Sequence, residues 1–356
     1  MFDFADVLLE VLNLNASDLH ITAGTPPMVR EKGRLRALDH PVMSSQMTRE
    51  IIYSILTNDQ RKKLENEWQI DFAYSIPGKA RFRVNAYFQR ASLGAAFRLI
   101  PNEMPELDSL GLPPVLRDFT KKPRGFVLVT GPTGSGKSTT LAAMLDVINR
   151  ERHEHIMTIE DPIEFLHHHK SCVVNQREIG SDAQSFSLGL KAALRQDPDV
   201  ILVGEMRDLD TISTAITAAE TGHLVYATLH TQDAAQTVDR IIDVFPGEQQ
   251  SQVRIQLANS LVGVSTQQLV PTADGRGRAV ACEVMIANTA IRALIRDGKV
   301  HQIHNAMASG RRVGMQSMDD SLAGLVRRGV VNAEQAMRRA QNPDDLARSL
   351  GVTPEA

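Results

Sequence analysis

The residues Gly131-Pro132-Thr133-Gly134-Ser135-Gly136-Lys137-Ser138 have the types and spacing needed to hold a phosphate chain. Glycines let successive backbone N–H groups turn toward one anion, and a helix starting at the end of the loop adds the positive end of its dipole. Lys137 would reach the β- and γ-phosphates of a nucleoside triphosphate, the Ser138 hydroxyl would hold Mg²⁺, and Thr139 completes the set. The flanks agree with this. An apolar run, Phe126-Val127-Leu128-Val129-Thr130, precedes the loop, and Thr139-Thr140-Leu141-Ala142-Ala143-Met144-Leu145 follows it with helical character.

Three later stretches carry further chemistry. Residues 155–160 read as a strand that runs into Glu160-Asp161-Pro162-Ile163-Glu164, and residues 199–203 run into Gly204-Glu205-Met206-Arg207-Asp208. Residues 223–229, opening on His223, run into His230-Thr231. Carboxylates beside a magnesium triphosphate suit metal coordination through water, or orientation and deprotonation of the attacking water. A histidine there could hydrogen-bond the γ-phosphate and report its loss. Many phosphate-loop enzymes place Asp-Glu after the second acidic strand, but here Gly204 takes the aspartate's place. Glu205 is then the candidate base, and Mg²⁺ is left to Ser138, water and Glu164.

These residues need a scaffold, and the chain supplies one. From residue 125 strands and helices alternate over 125–130, 138–149, 155–160, 183–195, 199–204, 208–221 and 223–229. That order predicts an α/β fold with a parallel-rich sheet and helices on its faces, its ligand at the C-terminal strand ends. Residues 1–100 read as a separate small α+β domain, with helices at 5–14 and 44–67 and strands at 17–22, 28–30, 71–74, 81–88 and 93–100. Five prolines punctuate 101–124, which reads as a linker with a short helix at 115–119. The boundaries expected are therefore 1–100, 101–124, a core at 125–275 and a helical C-terminal region at 276–356, whose charged, helical tail beyond Gly329, ending at 352–356, is expected to fray.

Composition narrows the function. The chain is 42% apolar and 23% charged with a net charge of −3, so neither nucleic acid nor an anionic membrane is advertised. Its start lacks a basic segment before an apolar one, and no run of about 18 apolar residues exists, so an integral membrane segment is not expected and a cytoplasmic location is. Cys172 and Cys282 stand far apart and read as small buried hydrophobes. The run His167-His168-His169 lacks the spacing of a metal site and reads as a solvated loop.

Taken together, the motifs resemble the secretion/type IV pilus ATPases, and within them the retraction branch responsible for twitching motility. Thr158 to Glu164 is similar to the family's Asp box, Asp199 to Asp208 to its glycine-containing Walker B segment, and Thr221 to Thr231, continuing to Ile242, to its His box. Ala290-Ile291-Arg292-Ala293-Leu294-Ile295-Arg296-Asp297 resembles the retraction signature Ala-Ile-Arg-Asn-Leu-Ile-Arg-Glu, departing from it at Ala293 and Asp297. The resemblance implies a PAS-like N-terminal domain, a RecA-like P-loop core and a homohexamer that hydrolyses ATP with Mg²⁺. It implies Glu205 as base, Glu164 near Mg²⁺, His230 as γ-phosphate sensor, and Arg81, Arg83 and Arg98 as arginines that reach nucleotide. Its partners would be an inner-membrane pilus platform protein and a paralogous retraction ATPase. Pilus-assembly and type II secretion ATPases are the nearest alternative. They usually carry a longer N-terminal region and a four-cysteine zinc insertion, which this sequence lacks. A nucleic-acid translocase on the same core is a more distant alternative.

Overall fold

Thr57 divides what the hydrophobic spacing reads as one helix over 44–67. Its side chain accepts the Gln60 N–H while the Gln60 side chain accepts the Thr57 N–H, a reciprocal cap that starts a new helix. The segment therefore folds as Ser45–Ser54, capped by Ser44, and Asn58–Glu67.

A computed structural model describes residues 4–101 and 103–351; the tail at 352–356 lies outside them. The chain divides into two compact units, one running to Glu103 and including Glu164–Leu166, the other comprising Met104–Ile163 and the chain from His167.

The first unit holds six strands: β1 Asp18–Ile21, β2 Met28–Glu31, β3 Arg34–Ala37, β4 Gln69–Ile76, β5 Ala80–Gln89 and β6 Ser92–Ile100. They form an antiparallel sheet in the order β3-β2-β1-β6-β5-β4. Strand alternation sends Leu19, Ile21, Phe82, Val84 and Phe97 into a core with Leu8, Val11, Ile52 and Leu64 of the helices. The opposite face carries Asp18, Arg81, Arg83 and Arg98. The sequence reading missed β3, a short edge strand exposed along its whole length.

The second unit contains β7 Gly125–Thr130, β8 His155–Glu160, β9 Val173–Glu178, β10 Val200–Val203, β11 Leu224–Leu229, β12 Leu261–Pro271 and β13 Arg278–Ile286. Their order is β13-β12-β7-β11-β10-β8-β9, parallel throughout except between β12 and β13. The expected parallel-rich α/β sheet is present. Every residue of β7, β10 and β11 is buried, as their continuous apolar runs require of strands covered on both faces. Alternate residues feed different cores. Phe126 and Leu128 pack with the helices Leu209–Glu220, Ala234–Asp243 and Gly247–Ser260, while Val127 and Val129 pack with the helix Lys137–Glu151.

Three features differ from the sequence reading. The polar β9 adds an unforeseen edge strand. Residues from 276 on, expected to be helical, begin with β13, which pairs along its length with β12. Residues 104–124 group with the second unit, where the short helix Val115–Thr120 buries Leu116 and Phe119. Near the C-terminus, Leu346 of the helix Pro343–Leu350 reaches a core shared with Met318 and Leu322, so order extends to the end of that helix.

Candidate nucleotide site

The loop leaves β7 at Thr130, whose hydroxyl lies 2.8 Å from the Thr266 hydroxyl of β12. Gly131 has φ 134°, and a Cβ there would sit 2.3 Å from the Gln267 carbonyl oxygen. The Gln267 side chain also donates to Thr140 Oγ1 at 2.9 Å, so β12 braces both ends of the loop. The sequence reading missed this brace. Its trace there is a polar stretch, Ser265-Thr266-Gln267-Gln268, inside an otherwise apolar strand, with Ser265, Thr266 and Gln267 buried.

Gly136, at φ 91°, caps the helix Lys137–Glu151 without a side-chain hydrogen bond, which leaves the first-turn N–H groups aimed at the loop. The Lys137 ammonium donates to the carbonyls of Gly131 at 2.8 Å and Pro132 at 3.0 Å. Ser135 Oγ is buried with no hydrogen-bond partner among the described residues, a polar atom suited to a phosphate oxygen. Ser138 and Thr139 are half-buried on the first turn of the helix. A first-turn hydroxyl beside a phosphate cradle is an oxygen ligand that would suit Mg²⁺.

Because β7, β8, β10 and β11 run parallel, their C-terminal ends share one edge of the sheet with this loop. After β10, Gly204 sits where a Cβ would approach Ile159 O to 3.1 Å and Glu160 Cα to 3.2 Å. That crowding gives a steric reason for glycine in the place where an aspartate is common. Glu205 follows with its side chain 19% exposed. His230, just after β11, places Nε2 3.0 Å from Glu205 Oε1. Arg207 grips both carboxylate oxygens, Nε to Oε1 at 2.5 Å and Nη2 to Oε2 at 2.6 Å. Burial pushes the Glu205 carboxyl up, but the Arg207 hydrogen bonds and charge, with His230, outweigh it and hold the group below the ordinary carboxylate value.

Glu160, at the end of β8, accepts from Thr158 Oγ1 at 2.6 Å and Gln176 Nε2 at 3.0 Å. The buried Glu178 accepts the Ile163 N–H at 3.1 Å and fixes the turn between them. The sequence reading passed over Glu178, since it lies on the unrecognised β9. His223 belongs elsewhere. It precedes β11, about 20 Å of strand away from His230, and its Nδ1 lies 3.0 Å from the Ala218 carbonyl oxygen. The second unit thus brings together the loop, Glu205 and His230. Glu164 is exposed and groups with the first unit. There, Arg83 and Arg98 face each other across β5 and β6, Arg98 pairs with Asp18 at 2.9 Å, and Arg81 reaches Ser75 Oγ at 3.5 Å.

Comparison with known proteins decides the family. The profile of the type II/IV secretion system proteins matches residues 3–352. The chain belongs to this family. It is 50% identical to the type IV pilus retraction ATPase PilT of Pseudomonas aeruginosa over 344 residues, covering 97% of this chain and 100% of that protein. It is 48% identical to the twitching motility protein of Neisseria gonorrhoeae over 340 residues, covering 94% of this chain and 91% of that one. A crystal structure of the pilus retraction motor PilT with bound ADP superposes with a TM-score of 0.91 at 47% identity, covering 98% of this chain and all of that one.

In this secretion-family chain the signature segment forms the helix Thr289–Arg296, capped by Asn288 and followed by Gly298 at φ 69°. Ile291 and Ile295 are buried, as helical spacing requires. Arg296 is exposed, but Arg292, one turn earlier, is partly buried. Its guanidinium donates to Ala287 O at 2.7 Å, Asn259 O at 2.6 Å and Leu261 O at 2.7 Å, and also to Ala258 O. The carbonyls of Ala258, Asn259 and Leu261 lie at the end of the helix Gly247–Ser260, where the last carbonyls lack intrahelical partners, and that of Ala287 lies just after β13. Arg292→Ala is therefore expected to destabilise the fold by about 2 kcal/mol, the scale of hydrogen bonds to a charged group. Arg296→Ala should leave stability within about 0.5 kcal/mol, as for an exposed surface change. Urea unfolding of the two variants measures the contrast, and equal midpoints would refute the assignment for Arg292.

In the histidine run His168 and His169 are exposed, as in a solvated loop, while His167 is partly buried. Asn149 of the phosphate-loop helix donates to His168 O at 2.7 Å and accepts the Lys170 N–H at 3.1 Å. The His167 N–H donates to Gln176 Oε1 at 2.8 Å, and His169 Nδ1 accepts the Val174 N–H at 3.0 Å. Burial pushes the His167 imidazole down to about 4. The run fastens residues 168–170 to the helix that begins at the phosphate site.

Proposed function

We propose that this chain is an ATP-hydrolysing motor that drives type IV pilus retraction and twitching motility. The observation that carries the enzymatic part is the meeting of Glu205 and His230 at the sheet edge that also holds Gly131–Ser138. In the proposed reaction a water oxygen bonds to the γ-phosphorus as the bond to the β–γ bridging oxygen breaks. Glu205 takes the water proton, and ADP and inorganic phosphate result. Lys137 and the loop N–H groups hold the phosphates and His230 donates to the γ-phosphate; Arg81, Arg83 and Arg98 of the first unit carry guanidinium forks of the kind that suit phosphate oxygens. Ser138 is the residue of the second unit proposed for Mg²⁺, which would neutralise phosphate charge, and Glu164, grouped with the first unit, is a carboxylate suited to the same ion.

Retraction, rather than another task of the family, is supported by the 50% identity to the Pseudomonas retraction ATPase over nearly the full length of both chains. The proposed working form is a homohexamer acting in the cytoplasm against an inner-membrane pilus platform protein. No helix among the described residues is long and apolar enough to cross a membrane. Deleting the gene tests the assignment directly. Cells should remain piliated, or become more so, and lose twitching. Cells without pili would make the chain an assembly ATPase instead.

A further inference from the structure

Arg207 has an unusual mounting. The backbone on either side of it is fixed. Met206 is buried and its N–H donates to Thr228 O at 3.2 Å, while Asp208 caps the helix Leu209–Glu220 by accepting the Thr211 N–H at 2.8 Å. The Arg207 side chain itself is 75% exposed and is held chiefly by the fork it makes on Glu205. Together Arg207 and His230 place two donors on Oε1 and one on Oε2 of that carboxylate. A carboxylate so occupied is poorly placed to accept a proton from water, since lone pairs and negative charge are already committed. A second carboxylate lies within electrostatic reach of the guanidinium. Asp161 follows β8, the strand beside β10, is exposed, and adds to the pull on Arg207.

We propose that Arg207 is a positioning residue that clamps Glu205 and frees it for proton transfer by moving its guanidinium onto Asp161. The clamp is built from a backbone hydrogen-bonded on either side, an exposed side chain and two acceptors that follow neighbouring strands. It gives the site a resting state in which the base is present but engaged. The charged and titratable groups concerned are Arg207 and His230 at Glu205, and Glu205 and Asp161 at Arg207. The inference rests on Glu205 being the base.

Steady-state phosphate release by the full chain between pH 5 and 9 tests it. Glu205 acts only when deprotonated, and Arg207 favours that form. Arg207→Ala should therefore move the acid limb of kcat upward by about one pH unit or more, the usual effect of removing an adjacent opposite charge. On the alkaline plateau the same variant should turn over about 2- to 5-fold faster, the scale expected for releasing one exposed ion pair. Asp161→Asn leaves the guanidinium a single acceptor and should lower kcat by a similar factor with KM unchanged. In the Arg207→Ala background it should do nothing.

An Arg207→Ala limb at the wild-type position, or a raised KM with lower kcat and no shift, would overturn the clamp. Additive effects of the two substitutions would overturn the transfer to Asp161. Glu205→Gln separates the two levels of the argument. If it is inactive while the Arg207→Ala limb is unmoved, only the clamp fails. If it hydrolyses ATP at the wild-type rate, the base assignment itself fails.

Discussion

Glu205→Gln is expected to bind ATP with near-normal affinity and to hydrolyse it at least about 100-fold more slowly, the range removed with a general base. The substitution keeps the volume of the side chain and takes away its charge and basicity. The phosphate cradle is untouched, because the Lys137 ammonium, the loop N–H groups and Ser138 belong to a different strand end. Binding and turnover should therefore separate cleanly. His230 sharpens the expectation. With Nε2 3.0 Å from Glu205, it sits against the proposed base, so its own removal should affect kcat less. Single-turnover hydrolysis beside equilibrium binding of a fluorescent ATP analogue gives both readouts. Turnover within about threefold of wild type would mean that the base lies elsewhere.

The residues legible in the sequence are those whose chemistry and local fold share one short stretch. The phosphate loop, its strand and its helix fall within Gly125–Glu151, and apolar periodicity with glycine spacing suffices to place them. The placement of Glu205 and His230 was equally legible, each lying just beyond the end of a buried parallel strand. What sequence did not disclose depends on pairing between distant segments. β9 carries Asn, Gln, Arg and Glu, so no apolar run announces it; β8 alone defines it. Gln267 behind Gly131, and Arg292 on the carbonyls of residues 258–261, act across folds of the chain that no local pattern records. Arg292 illustrates the limit. Helical spacing sets it on the same face as Arg296, yet one guanidinium is spent on a helix end and the other is exposed.

The brace from β12 leads to the second large effect. Gly131→Ala should weaken ATP binding by more than about 100-fold, equivalent to about 2.8 kcal/mol. Its φ of 134° lies where side chains are strained, and the added methyl would meet the Gln267 carbonyl oxygen at 2.3 Å and Ser135 Oγ at 2.8 Å. The first of these atoms is backbone in a strand paired on both sides. It cannot swing aside, so the loop must move instead, and the phosphate N–H groups move with it. Gly134 is the internal control. It also has positive φ, 78°, but nothing lies within 4 Å of its would-be Cβ. Gly134→Ala bears only the left-handed backbone cost of about 1–2 kcal/mol and should weaken binding no more than roughly 10- to 30-fold. Calorimetric titration of ATP into both variants makes the comparison. Equal losses would mean that backbone strain alone governs the loop and that the contact with β12 does not.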